Sequence, residues 1–533
     1  MDEKFLSLAD WLLKGSIDFN YISESLLPEL CESGSAPLKV GKMEYDAIIV
    51  PDCETLRSTT LERLEAFRKA GGKLIFMGGA PYLEDGIESE RGKKLCDESQ
   101  LIPFDREKIL TALEDSRTVT LRLKNGKLSN GFIYQLRRDN GCNWLFVSRC
   151  REPENKDMVR SNDLRITVKG EFTPYIYNTL NGEIENAEFE YIGGNTVISK
   201  EMFEYDSLLL KLVDGKTDSD AKTADISAPE KAVKLPAFVP FSLSEPNVLL
   251  LDMAEFKVDD GEYMDEEEIL RLDNVAREIL GLPERGGSVA QPWVVEDEPT
   301  EHTVTLRFRI NSTIDYSGAL LALEDAEKAK IIFNGNEIAN EIVGWYTDKD
   351  VKTVKLTDIV KGENILEITL PIGKRTNTEW CYILGNFGVA VAGRKAQIIP
   401  MPEKIGFGSI VNQGMPFYGG NVTYHLEAEG NAIQVEATRY RGGIIDVKVD
   451  GEVKGNIVYP PYILNVNGLA DGKHKLDITL YGNRYNCFGA VHMSNAARSW
   501  HGPDAWRTSD DEWSYEYVLK DVGILTAPVI KAE

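Results

Sequence analysis

Apolar positions along the first ~110 residues change period repeatedly. Phe5, Leu8, Ala9, Leu12 and Leu13 fall on one face of a helix, because residues three and four apart are neighbours at 3.6 residues per turn. Residues 46–50 (Asp-Ala-Ile-Ile-Val) form a short apolar run, Leu61, Leu64 and Phe67 return to helical spacing up to Gly71-Gly72, and residues 73–77 (Lys-Leu-Ile-Phe-Met) are apolar again. The pattern predicts β–α–β, hence a parallel sheet with a right-handed crossover.

From Thr118 the period becomes two. Val119, Leu121 and Leu123 alternate with polar residues, and strands are predicted at 132–136, 144–147, 164–168, 189–192 and 207–212, with turns at Asn125-Gly126, Asn181-Gly182 and Gly193-Gly194. That is an antiparallel sandwich. Residues 214–236 hold almost no large apolar side chain and read as a linker. Beyond it a strand is predicted at 248–253 and a helix at 265–280, closed by Gly281. Its acidic preface, residues 259–268, lacks the regular oxygen-ligand spacing of a calcium loop and reads as a solvated helix N-terminus.

A weak internal repeat follows. Residues 329–338 and 361–370 (AKIIFNGNEI, then KGENILEITL) match 445–453 and 471–480 (IDVKVDGEV, then DGKHKLDITL). Each copy has a strand, an Asn-Gly or Asp-Gly turn and a Gly-led alternating strand. The expected fold class is multidomain: an α/β domain (1–115), a β-sandwich (116–213), the linker (214–236), a sandwich with a helical insertion (237–398) and a C-terminal jelly roll (399–533).

Charge narrows the partners. With 86 acidic against 60 basic residues the formal net charge is −26, and no Lys/Arg stripe reverses it locally, so nucleic acid and anionic membranes are disfavoured. No apolar run approaches the ~18 residues of a membrane span, and the N-terminus carries acid where a signal peptide needs base. Seven scattered cysteines without a C-x-x-C pair signal neither disulfide framework nor zinc site. Reduced thiols in the cytoplasm, and no cofactor or metal, are expected.

Candidate chemistry is sparse. Cys53 follows a strand, but the five histidines (His302, His425, His474, His492, His501) all lie far downstream, so an inert thiol is expected. Gly78-Gly79-Ala80-Pro81 lacks phosphate-loop spacing. Sugar binding needs rings for the apolar face of a pyranose and planar polar groups for its hydroxyls. Trp345, Trp380, Trp500, Trp506 and Trp513 supply rings, with Tyr346 and Tyr382 nearby, and His492, His501, Asn495 and Arg498 supply polar neighbours.

Residues 413–424 (QGMPFYGGNVTY), 447–451 (VKVDG), 459–462 (YPPY) and 481–492 (YGNRYNCFGAVH) together resemble the C-terminal galactose-binding-like jelly roll of rhamnosidase-type and related bacterial glycoside hydrolases. Residues 379–389 resemble the link between two such sandwiches, and residues 17–24, 45–51 and Gly71-Gly72 resemble the amidotransferase-like α/β domain of the same enzymes. In that family the catalytic carboxylates belong to a (β/α)8 barrel preceding the α/β domain, for which this sequence has no matching positions. The resemblance therefore implies an accessory region, structural and carbohydrate-binding, of an enzyme acting on plant or host glycans, with carbohydrate and a catalytic barrel domain or subunit as partners. Two alternatives stand beside it: a free-standing carbohydrate-binding protein, and a glycosidase with an unrecognised carboxylate pair.

Overall fold

The computed structural model describes residues 2–217, 229, 231–285, 299–376, 378–497 and 502–533. Two compact units divide the chain, Met1–Ile226 with Tyr459–Pro461, and Ser227–Val458 with Tyr462–Glu533. Among the described residues no helix is long and apolar enough to cross a membrane.

The first unit opens with helix α1 (Asp2–Lys14). Strands β1 (Ala47–Pro51), β2 (Lys73–Met77) and β3 (Gln100–Ile102) then form a parallel sheet in that order, connected through helices α2 (Ser58–Lys69) and α3 (Arg91–Asp97) and followed by α4 (Arg106–Ala112). The central strand β2 shows why its run is continuously apolar. Leu74 and Phe76 pack with Leu61, Leu64 and Phe67 of α2 on one face. Ile75 and Met77 pack with Leu8, Leu12, Ile109 and Leu110 on the other. A parallel strand covered by helices on both faces has no solvated side to mark with polar residues. Gly72 follows α2 so closely that a Cβ there would lie 2.2 Å from the Phe67 ring. The thiol of Cys53, just past β1, is pushed up to about 11 by burial and by the nearby carboxylates of Glu24 and Asp52.

The same unit continues as an antiparallel sandwich of a five-stranded and a four-stranded sheet, built from strands between Val119–Leu123 and Ser207–Asp214. Inward residues of the two sheets, among them Leu121, Ile166, Leu145 and Leu210, form one core. Its hairpin turns use paired positive φ angles, at Asn140-Gly141 (48° and 77°) and Gly193-Gly194 (56° and 76°). Two-residue turns of that kind match the strand twist.

The second unit has two sandwich cores. Strand β4 (Phe238–Leu243) belongs to the sheet of the C-terminal one, where it pairs with β14 (Val422–Glu429), and the chain then crosses to the other sandwich. There β5 (Asn247–Leu251), β6 (Met253–Val258), β7 (Met264–Glu268) and helix α5 (Ile269–Leu280) lead into β8 (His302–Ser312), β9 (Lys330–Phe333), edge strand β10 (Ile342–Tyr346), β11 (Gly362–Ile372) and β12 (Cys381–Gly385). The helix begins four residues later than the sequence predicts. Residues 264–268 pair with β6 as a strand instead, with Met253 opposite Glu268. Gly281 ends α5 at φ 66°, as its position after the last apolar residue requires.

After β13 (Lys404–Gly406), which flanks β4 on its other side, the C-terminal sandwich contains β14, β15 (Ile445–Val449) and β16 (Lys473–Leu480). The internal repeat is one local structure formed twice. β9 and β15 each turn back through a residue with positive φ followed by Gly (Asn334, 49°; Asp450, 52°), and each pairs with its Gly-led strand, β11 or β16. The turn residue clips onto that strand identically. The Asn334 and Asp450 amides donate to the carbonyls of Ile365 and Lys475 at 2.8 and 2.9 Å. Their side-chain oxygens accept from the amides of the same two residues, both at 2.9 Å. The repeated Asn/Asp-Gly is thus a side-chain lock on strand register.

Candidate functional site

Four acceptor oxygens converge inside the second unit. Asp252 directly follows β5, and Glu268 is the N-cap of α5, so the strand end and the helix start bring two carboxylates together; the Ile269 amide donates to the Asp252 carbonyl at 2.8 Å. The side chains of Asp252 and Glu268 are 1% and 0% exposed. Asp252 Oδ2 lies 2.9 Å from His492 Nε2, and Oδ1 accepts from the Tyr517 hydroxyl at 2.6 Å. Glu268 Oε1 accepts from Trp380 Nε1 at 2.6 Å and Oε2 from the Arg271 amide at 3.0 Å. Nothing is left over: each of the four oxygens has a partner.

His492 is held from its other side as well, with Nδ1 2.8 Å from the Ser514 carbonyl. Its ring stacks on Tyr517 at 5.0 Å and tilts against Trp513 at 5.2 Å. The Arg271 guanidinium sits 4.4 Å from the Trp513 ring centroid and donates to the Thr508 carbonyl at 2.7 Å. Trp380 and Trp506 meet edge to face at 6.4 Å. Farther along α5, Asp273 and Arg277 form a buried ion pair at 2.7 Å. The C-terminal stretch with Trp506, Trp513 and Tyr517 is thereby stapled onto the strand and helix ends of the preceding sandwich.

Electrostatics follow from burial. Burial pushes the Glu268 carboxyl up to about 8, opposed by the Trp380 hydrogen bond and reinforced by the charge of Asp252. Burial pulls the His492 imidazolium down, but its hydrogen bond and charge interaction with Asp252 outweigh that and leave it raised. Glu379, beside the Arg285 guanidinium, is pushed up to about 7, again chiefly by burial. At neutral pH Glu268 is a neutral acid and Asp252 accepts from two donors, an unequal pair of the kind hydrolytic enzymes use. What differs is access.

Of the residues the sequence singles out, the structure brings Trp380, Trp506, Trp513 and His492 together, with Asn495 bonded to Glu512 at 2.8 Å nearby. Trp380 and His492 are buried (6% and 1% exposed) and partnered within the protein. Trp345 lies apart, on edge strand β10, with its ring 56% exposed. Tyr346 and Tyr382 are buried against Phe488. Arg498, Trp500 and His501 lie outside the described residues. Sequence reasoning missed Asp252, Glu268, Arg271 and Tyr517. For Glu268 one signal existed: a Glu directly ahead of an apolar helical pattern that ends in Gly is an N-cap position, although Ser, Thr, Asp and Asn are the residues usually found there.

No family model matches the sequence, and no curated protein matches it. Among solved structures the chain is similar to a rhamnosidase from Novosphingobium sp. PP1Y at 12% identity and a TM-score of 0.46, over 96% of this chain and 36% of that one. It is also similar to an exo-carrageenase from Bacteroides ovatus (12% identity, TM-score 0.28, 40% of this chain and 27% of that one). A third likeness is to α-L-fucosidase isoenzyme 2 from Paenibacillus thiaminolyticus (12%, 0.27, 40% and 45%). The chain spans about a third of the length of the rhamnosidase and less than half of the other two.

Proposed function

We propose that this chain is an accessory region of a glycoside hydrolase, built to support and to contact carbohydrate, and that it takes no part in breaking glycosidic bonds. The observation that carries the reading is the closed state of the Asp252–Glu268 pair. Glycoside hydrolysis needs one carboxyl group to protonate the leaving oxygen and a second to face the anomeric carbon or a water. Here all four oxygens are taken by Tyr517, His492, Trp380 and the Arg271 amide, and neither residue is more than 1% exposed. The order of motifs that resembles rhamnosidase-type enzymes, an α/β domain followed by sandwiches, supports the same reading. Carbohydrate contact is assigned to Trp345, which is exposed on the edge strand β10.

The test is a panel of aryl glycosides incubated with the intact chain. No chromophore release above buffer is expected. Turnover that disappears in Glu268→Gln while the protein stays folded would overturn the proposal and make the pair a catalytic centre.

A further inference from the structure

On the solvent face of the C-terminal sandwich three neighbouring strands align a different constellation. β4, β14 and β16 are consecutive in one antiparallel sheet, with Ser242 opposite Thr423 and His425 opposite Asp477. Val239, Tyr424, Leu426, Leu476 and Ile478 point into the core. Alternation therefore turns Ser242, His425 and Asp477 outward together. His425 Nδ1 lies 2.8 Å from Asp477 Oδ1, and His425 Nε2 lies 3.0 Å from Ser242 Oγ. A carboxylate on Nδ1 fixes the proton there and leaves Nε2 as an acceptor for the serine hydroxyl. This is the nucleophile, base and orienting acid of a serine hydrolase, in the right order and on the right ring nitrogens.

Two surroundings extend the likeness. A cleft of about 740 Å³ opens on the same face, lined by Leu235, Pro236, Pro240, His425 and Asp477. Ser242 borders a separate cleft of about 610 Å³, which runs past Leu243 to Asn247, Tyr316 and Leu384 of the other sandwich. The Ser244 amide donates to the Asn421 carbonyl, on the β14 side, so the amide of Leu243 faces the opposite edge of β4. There the pairing with β13 ends at Pro240. Among the described residues, the amide of the residue following the serine thus has no strand partner on that side, the position from which an acyl oxyanion is stabilised in many hydrolases. A cross-strand polar ladder accounts for the His425–Asp477 pair, as it does for the Thr423–Thr479 bond alongside it. It does not require the serine on Nε2.

We propose that Ser242, His425 and Asp477 form an esterase site for short-chain carboxylic esters. Ser242 Oγ attacks the acyl carbon and its proton passes to His425 Nε2. The C–O bond to the alcohol breaks, and the alcohol leaves with that proton. Water then attacks the acyl-serine, giving a proton to Nε2 which returns to Ser242 Oγ as the carboxylic acid departs. Ester and water become acid and alcohol, with no other reactant.

The test uses the intact chain, a fluorophosphonate probe and p-nitrophenyl acetate. Peptide mass spectrometry should find the phosphonyl group on Ser242 and none on Ser242→Ala or His425→Gln. Burst-corrected p-nitrophenyl acetate turnover should fall by about 10²-fold or more in Ser242→Ala and in Asp477→Asn. All three side chains are at the surface, and circular dichroism confirms the fold of each variant. Unlabelled Ser242 in the folded protein, or turnover unchanged in Ser242→Ala, overturns the proposal.

Discussion

Replacing Glu268 by Gln tests the buried cluster through the pH dependence of stability. Its carboxyl titrates near pH 8 in the folded chain, against an ordinary 4.5. Between those values the folded state holds a proton that the unfolded state has lost, so stability is fully present below about pH 4.5 and falls as pH rises toward 8. The slope is about 1.4 kcal/mol per pH unit and the whole window is worth about 5 kcal/mol for a fully buried group. Gln cannot titrate, so the variant loses this contribution to the slope. It also places an amide NH2 against one of the two donors, Trp380 Nε1 or the Arg271 amide, which costs about 1–3 kcal/mol at pH 5. Wild type should therefore be the more stable protein at pH 5 by about 1–3 kcal/mol. Because it alone loses about 4 kcal/mol between pH 5 and 8, the order should reverse, with the variant the more stable of the two by pH 9. Urea unfolding followed by tryptophan fluorescence at pH 5 to 9 measures this, since six of the eight tryptophans belong to the second unit. His492 and Glu379 add slope of the same sign in both proteins. Equal slopes for wild type and variant would refute the reasoning.

Asp252→Ala strands His492 and the Tyr517 hydroxyl without their shared acceptor, and should destabilise the second unit by about 3–5 kcal/mol in the same urea assay at pH 7. Trp345→Ala removes a ring that is mostly in solvent, so unfolding should move by less than about 0.5 kcal/mol. Retardation in polyacrylamide gels containing plant polysaccharides should weaken in that variant; retardation that is unaffected would remove Trp345 from the carbohydrate face.

The regular elements were legible because their burial follows a short period. β2 reads as a strand with two buried faces, 119–123 as a half-buried one, and the repeated Asn/Asp-Gly turns mark equivalent hairpins whose side-chain locks the structure then explains. The cluster was legible only in its aromatic half. Trp380, Trp506, Trp513 and His492 stand out as rich in rings and polar groups, which is equally the composition of a sugar platform and of a buried seam. Glu268 closes a ten-residue acidic run whose other acids are mostly exposed, so composition gives it a solvated role, and only the Trp380 indole, 112 residues away, shows otherwise. Ser242, His425 and Asp477 meet through strand register across separations of 183 and 52 residues. No local pattern carries register between strands so far apart in the chain.

The accessory reading depends on Asp252 and Glu268 being out of reach, and carbodiimide labelling with glycine ethyl ester measures that directly. In folded protein at pH 6, tandem mass spectrometry should find the exposed acids Asp265 and Glu266 modified and Asp252 and Glu268 unmodified until urea unfolds the second unit. Labelling of Asp252 or Glu268 in the folded chain at the rate of those exposed neighbours would contradict the account.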